Sequence, residues 1–153
     1  MYMLSKKTQY ALKALISLAS CEEGVPVMIA TLAERERIPK KFLELILLDI
    51  KSLGVVQSKK GKQGGYYLSR KPSEIKLGHI IRGIEGPLAL LPCVSLSAYE
   101  RCDECRDERT CGLRLVMKDV RDATAKILDN TSLADVLERM ESEKSKPEVM
   151  FHI

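Results

Sequence analysis

Between residues 38 and 69 the chain carries a helix pattern followed at once by a hairpin pattern, and this pairing restricts its fold more than any other feature. Phe42, Leu43, Ile46, Leu47, Ile50 and Leu53 recur at spacings of three and four, the period of an amphipathic helix. Pro39 suits the first turn of that helix, and Gly54 suits its left-handed C-cap. Residues 55–58 then read as a short strand, 59–65 as a turn and 66–69 as the returning strand. The tip of this wing, Lys59-Lys60-Gly61-Lys62-Gln63, is basic and glycine-bearing, which lets a backbone approach phosphates while lysines supply the charge. Leu45 and Leu48 fall off the apolar face of the helix, and packing on the wing or the first helix is the only use the sequence offers them.

Upstream, Tyr10, Ala11, Ala14, Leu15, Leu18 and Ala19 mark one face of a helix from the N-cap Ser5 to Ser20. A short second helix over 27–34 places Ile29, Leu32 and Ala33 together, and Arg37-Ile38-Pro39 is a tight turn into the third. Two helices so joined are a helix-turn-helix unit. Leu18-Ala19-Ser20-Cys21 resembles a lipoprotein cleavage box, but Lys13 and Ser17 interrupt the apolar region such a signal needs. Cys21 is therefore expected as a packed or half-exposed thiol at a helix end.

A length of 153 residues fits one domain or a small domain with an appendage, and 45% hydrophobic with 30% charged residues is the balance of a folded chain. The longest uncharged stretch, residues 86–99, is 14 long and holds Pro87 and Pro92, well short of the roughly 20 apolar residues of a membrane span. No membrane association is expected. The net charge of +4 is unevenly divided: residues 1–71 hold 13 Lys and Arg against six Asp and Glu, and residues 72–153 hold 12 against 15. The first half thus favours nucleic acid, and the second has another task.

Beyond Pro72, Leu77, Ile80, Ile81 and Ile84 mark a helix over 77–85, broken by Gly86-Pro87, with His79 as a structural or surface residue. A helix over 113–128 carries a single seam of Leu113, Val116, Met117, Val120 and Ile127. Because a small winged-helix core is already filled, self-association is the better use of that seam, with intramolecular cover as the alternative. Asn130-Thr131-Ser132 opens a last helix over 133–140, and residues 141–153 are expected to be a loose tail.

Four of the five cysteines crowd into residues 93–111 as Cys93, Cys102, Cys105 and Cys111. A two-residue spacing lets Cys102 and Cys105 grip one metal centre while the others close the shell, and thiolates suit zinc or an iron–sulfur cluster. Arg101, Arg106 and Arg109 oppose Asp103, Glu104, Asp107 and Glu108, so composition gives the thiol acidities no direction. The chain carries no Ser-His-Asp set, phosphate loop or paired-acid constellation, so no enzyme activity is expected.

Tyr10-Ala11-Leu12, Ile38-Pro39-Lys40-Lys41-Phe42-Leu43-Glu44, Leu53-Gly54-Val55-Val56, Gly61-Lys62-Gln63-Gly64-Gly65-Tyr66, Ile84-Glu85-Gly86 and the cysteine loop together resemble the IscR-type (Rrf) family of bacterial winged-helix regulators over residues 1 to 138. The resemblance implies a homodimer with a long dimerisation helix and, in many members, an iron–sulfur cluster on three loop cysteines. Cys93, Cys105 and Cys111 match those three, Cys102 is additional, and the longer loop leaves Cys102 as a replacement for Cys93. The family's fourth-ligand positions hold Arg114 and Gln9 here, both poor donors, which makes a fourth cysteine the economical proposal.

The expected molecule is a mainly α protein with a small β-hairpin wing: a winged helix-turn-helix over 1–72, a connecting helix within 73–92, a metal loop over 93–111, and the dimerisation and C-terminal helices over 112–140. It is read as a cytoplasmic homodimeric repressor of a palindromic double-stranded DNA operator, modulated by a 2Fe-2S or 4Fe-4S cluster; the alternatives are a regulator with structural zinc or no metal that senses thiol oxidation or a protein partner, and, more remotely, an electron-transfer protein. Pro39, Lys40, Lys41, Phe42 and Glu44 open the recognition helix and would meet base edges. Lys59, Lys60, Gly61, Lys62 and Gln63 of the wing, with Ser5, Lys6 and Tyr10 of the first helix, complete the candidate DNA contacts.

Overall fold

The computed structural model describes residues 4–147. In chain order these form α1 (Lys6–Ala19), α2 (Ile29–Glu36), α3 (Lys40–Ser52), β1 (Val56–Lys59), β2 (Gly65–Leu68), α4 (Leu77–Glu85), α5 (Gly112–Asn130) and α6 (Leu133–Lys144). Short 3-10 turns lie at Pro72–Glu74 and Pro92–Val94. The architecture is mainly helical with one antiparallel hairpin, as expected from the sequence. No helix among the described residues is long and apolar enough to cross a membrane.

Local chemistry sets most boundaries. The Ser5 hydroxyl accepts from the Thr8 amide at 3.2 Å and starts α1. Pro39 stands one place before the expected first turn, as the N-cap of α3, and Gly54 takes φ 74 beyond its end. Helix α2 begins two residues later than its apolar pattern suggests. Val27 is engaged elsewhere: its amide donates to the Tyr66 carbonyl and its carbonyl accepts from the Tyr66 amide, both at 2.8 Å. This bridge adds a one-residue third strand to the wing. Gly65 permits it, because a Cβ there would run into the Val27 carbonyl and its φ of 153 disfavours other residues. The ladder pairs Val56 with Leu68 and Lys59 with Gly65, so β1 and β2 are each displaced by one residue from the expected strands.

The core is built around α1. Ala11, Ala14, Leu15 and Leu18 pack with Leu32 of α2, with Leu43, Ile46, Leu47 and Ile50 of α3, and with Val55, Val56, Ile75 and Ile80. Leu133 is fully buried in the same cluster, so α6 returns to complete the core of the first half. Its return is secured by backbone bonds of 3.0 Å from Leu133 to Ile75 and from Leu77 to Thr131. Helix α6 continues to Lys144, so the first four residues of the expected loose tail are helical. Ser132 and Asp135 form a reciprocal capping box at its start, and Lys144 pairs with Glu141 at its end. Residues 148–153 of that tail lie outside the described residues.

One sequence-based assignment looks different in three dimensions. Leu45 and Leu48 belong neither to the core nor to the partly buried residues packed against it. They point away from the buried face of α3 and are 61% and 57% exposed. Helix α5 has no buried residue at all, although it spans 19 residues. Its seam stays open, with Leu113, Val116, Val120 and Ile127 between 38% and 61% exposed.

Candidate nucleic-acid interface and metal centre

Helix α3, the wing and the first turn of α1 are tied together by side chains. Lys7 Nζ pairs with Asp49 Oδ2 at 2.7 Å, which sets the start of α1 beside α3. Lys51 Nζ donates to Ser58 Oγ at 2.6 Å, fixing the end of α3 to β1, and Tyr67 donates to Gln57 across the hairpin at 2.9 Å. Tyr10 meets Phe42 edge to face, with ring centroids 5.7 Å apart. Among the candidate contacts, Lys6, Lys40, Lys41, Glu44, Lys59, Lys60, Gly61, Lys62 and Gln63 are exposed. Pro39 is an exposed N-cap, Phe42 is 36% exposed, and Tyr10 is half-buried. Ser5 has its hydroxyl committed to capping and its amide to Glu85 Oε1 at 2.6 Å.

The Glu85 contact was not legible in the sequence, because its partners are 80 residues apart. Hydrogen bonds from the Ser5 and Thr8 side chains, then from the Ser5 amide, hold the Glu85 carboxyl below the usual range. In the same last turn of α4, Arg82 grips Asp129 of α5 through two bonds of 2.6 and 2.9 Å. That bond lowers the Asp129 carboxyl and raises the Arg82 guanidinium. Gly78 makes room for the clamp, since a Cβ there would strike the Asp129 carboxylate.

The four loop cysteines line one cavity of about 380 Å³ at the N-terminus of α5, together with Leu91, Leu113 and Arg114. Cys93 is buried, Cys105 and Cys111 are half-buried, and Cys102 is exposed. Arg114 Nε donates to the Cys93 carbonyl at 3.2 Å and Arg121 donates to the Val94 carbonyl at 2.5 Å, so α5 grips the turn that carries Cys93. The Cys105 amide donates to the Cys102 carbonyl at 3.2 Å, a tight turn that brings this pair to the same cavity. Cys111 is the N-cap of α5. The Arg114 amide, the Cys105 thiol and the Leu113 amide favour its charged form and hold it below the usual thiol range. Cys105 moves the opposite way, through burial and through donating to Cys111.

Among the described residues no three Cys, His, Asp or Glu side chains converge closely enough to hold a metal ion. In its chemistry, though not in its spacing, the donor set fits a thiophilic centre: four cysteines line one cavity, and one is already favoured as thiolate. Arg114 and Gln9 are engaged otherwise, Arg114 with the Cys93 carbonyl and Gln9 with the Leu4 carbonyl at 2.8 Å. Cys21 lies away from this cavity, donating to the Ser17 carbonyl and accepting from Arg35. His79 is exposed, with a ring nitrogen 3.4 Å from the Leu53 carbonyl.

Residues 4–139 match the Rrf2 family model, described as an iron-dependent transcriptional regulator. The rrf2-like HTH-type transcriptional regulator of Rhodobacter capsulatus is 41% identical over 138 residues, 88% of this chain and 92% of that one. CymR (YrzC), the global cysteine regulator of B. subtilis, has a similar structure, with a TM-score of 0.75 and 28% identity over 91% of this chain and 98% of that one. T. potens IscR gives a TM-score of 0.74 and 27% identity, covering 99% and 97%.

Proposed function

The chain belongs to the Rrf2 family of transcriptional regulators, and from that premise we propose a homodimeric repressor whose affinity for a palindromic DNA operator is set by an iron–sulfur cluster in residues 93–111. In this reading α3 enters the major groove, and the wing lysines, the first turn of α1 and Gln63 hold the backbone. The α5 seam joins two copies, and the protein works in the cytoplasm. No enzyme chemistry is part of it.

The observation that carries the reading is the cavity itself: all four loop cysteines line it, at the start of the helix whose open seam suits a second copy. Cys93, Cys102, Cys105 and Cys111 would hold the cluster. When bound, it would supply a redox- and oxygen-sensitive centre whose presence orders the loop. Anaerobic purification followed by absorption spectroscopy and iron and sulfide assay tests this. Each loop cysteine changed to serine should lower iron per chain, and Cys21→Ser should leave the spectrum intact. Full iron content in the Cys105 or Cys111 variant would overturn the loop as the metal site.

A second reading has its own observation. Cys111, favoured as thiolate, sits beside Cys105, favoured as thiol, a pairing suited to oxidation sensing without metal. A colourless anaerobic preparation with no iron would favour it, and zinc in that preparation would point to a structural metal instead.

A further inference from the structure

Leu45 and Leu48 have no use in the fold. Leu43, Ile46, Leu47 and Ile50 bury one side of α3. At about 100° per residue the opposite direction is taken by Lys41, Leu45, Leu48 and Ser52, all exposed. Neither leucine belongs to the core or to the residues packed against it. Two bare leucines at the centre of a polar helix face call for an occupant.

Charge selects that occupant. Lys40 and Lys41 open this helix, Lys51 stands at its end bonded to the wing, and Lys59, Lys60 and Lys62 crown the wing, all exposed. Of the two carboxylates on α3, Asp49 is already paired with Lys7, which leaves Glu44. A second copy laid face to face would set lysine against lysine, whereas a polyanion with an apolar feature in its groove satisfies both parts of the surface.

Resting on the reading that α3 enters the major groove, we propose that Leu45 and Leu48 are specificity-determining residues that read thymine by covering its 5-methyl group. Thymine presents an apolar group at the major-groove edge, while guanine and cytosine present acceptors and a donor there. Leucine offers neither donor nor acceptor. Against guanine or cytosine it would strip water from polar atoms without replacing their hydrogen bonds, and against the methyl group both partners leave water. The two side chains are about 4.5 Å apart along the helix axis, so they cover neighbouring base pairs. The operator half-site accordingly carries thymines on adjacent or nearly adjacent pairs.

The test uses the full chain and a duplex that it enriches from a random-sequence pool. Thymines of one half-site are replaced singly by deoxyuridine, which removes the methyl group and keeps the pairing. The wild-type chain should lose about fourfold in affinity per covered methyl group at one or two positions. Leu45→Ala and Leu48→Ala remove no core contact and keep a good helix former. Each should bind the thymine and deoxyuridine duplexes alike at its own position, with the salt dependence of binding unchanged. Equal wild-type affinity for both duplexes at every position, or the full deoxyuridine penalty retained in both leucine variants, would overturn the proposal. Failure to enrich any sequence would instead overturn the DNA-regulator reading and remove the inference with it.

Discussion

At the scale of single residues, two neighbouring thiols with the same composition around them are driven apart. Three arginines and five acidic residues are interspersed in the loop, so sequence gives no reason to separate the two acidities. The backbone does, because Cys111 stands where α5 begins and meets the unpaired amides of a helix N-terminus, whereas Cys105 is the donor to it. In the metal-free chain at neutral pH, iodoacetamide should therefore modify Cys111 before Cys105, as followed by peptide mass spectrometry. Equal rates would show that the helix terminus does not govern the thiolate. Ser5 is similar in kind. Its capping role was readable from its type and place, while its bond to Glu85 needed the folded chain.

At the scale of elements, legibility followed locality. The expected helix over 77–85 is α4 to the residue, because its apolar period and the Gly86-Pro87 break are both local signals. The start of α2 was misplaced because Val27 is held by Tyr66, and pairing across such a separation leaves no trace in a helical period. The wing was legible from turn chemistry, and its proposed work is measurable. Lys59, Lys60 and Lys62 changed together to alanine should weaken binding to all duplexes and flatten the salt slope by up to about 0.9 per lost phosphate contact. An unchanged slope would remove the wing from the interface. For α5, the sequence marked the seam and the structure leaves it open. Val120→Glu with Ile127→Glu should bury unpaired charge in any dimer built on it, so sedimentation should find a monomer. A persisting dimer at micromolar concentration would place the interface elsewhere.

At the scale of the whole molecule, α4 is the strut between the two halves. Its C-terminal Glu85 holds the start of α1, its Arg82 holds the end of α5, and Gly86 then leads toward the cysteine stretch. Because the Glu85 carboxyl lies below its ordinary value in the folded chain, the stability it contributes is complete above that ordinary value, about 4.3. It is lost as pH falls through the lower folded-state value. Glu85→Gln should be less stable than wild type by up to about 1 kcal/mol near neutrality, and the difference should begin to shrink as pH falls below about 4.3. A gap that stays constant in urea titrations from pH 7 to 3.5 would show that the charge is not what counts. None of these long-range bonds was legible in the sequence, since arginines and carboxylates are common on any surface and only the fold pairs them. The grip of Arg114 and Arg121 on the turn bearing Cys93 has a consequence for chain length. With that turn anchored and Cys111 fixed as a helix cap, the stretch between them is a loop closed at both ends. Doubling the length of such a loop costs only about 0.6 kcal/mol in closure entropy. Residues inserted at the exposed Leu96 or Ser97, just past the anchored turn, should therefore leave the cavity intact, so the spacing between Cys93 and Cys102 is free to drift while its ends stay fixed.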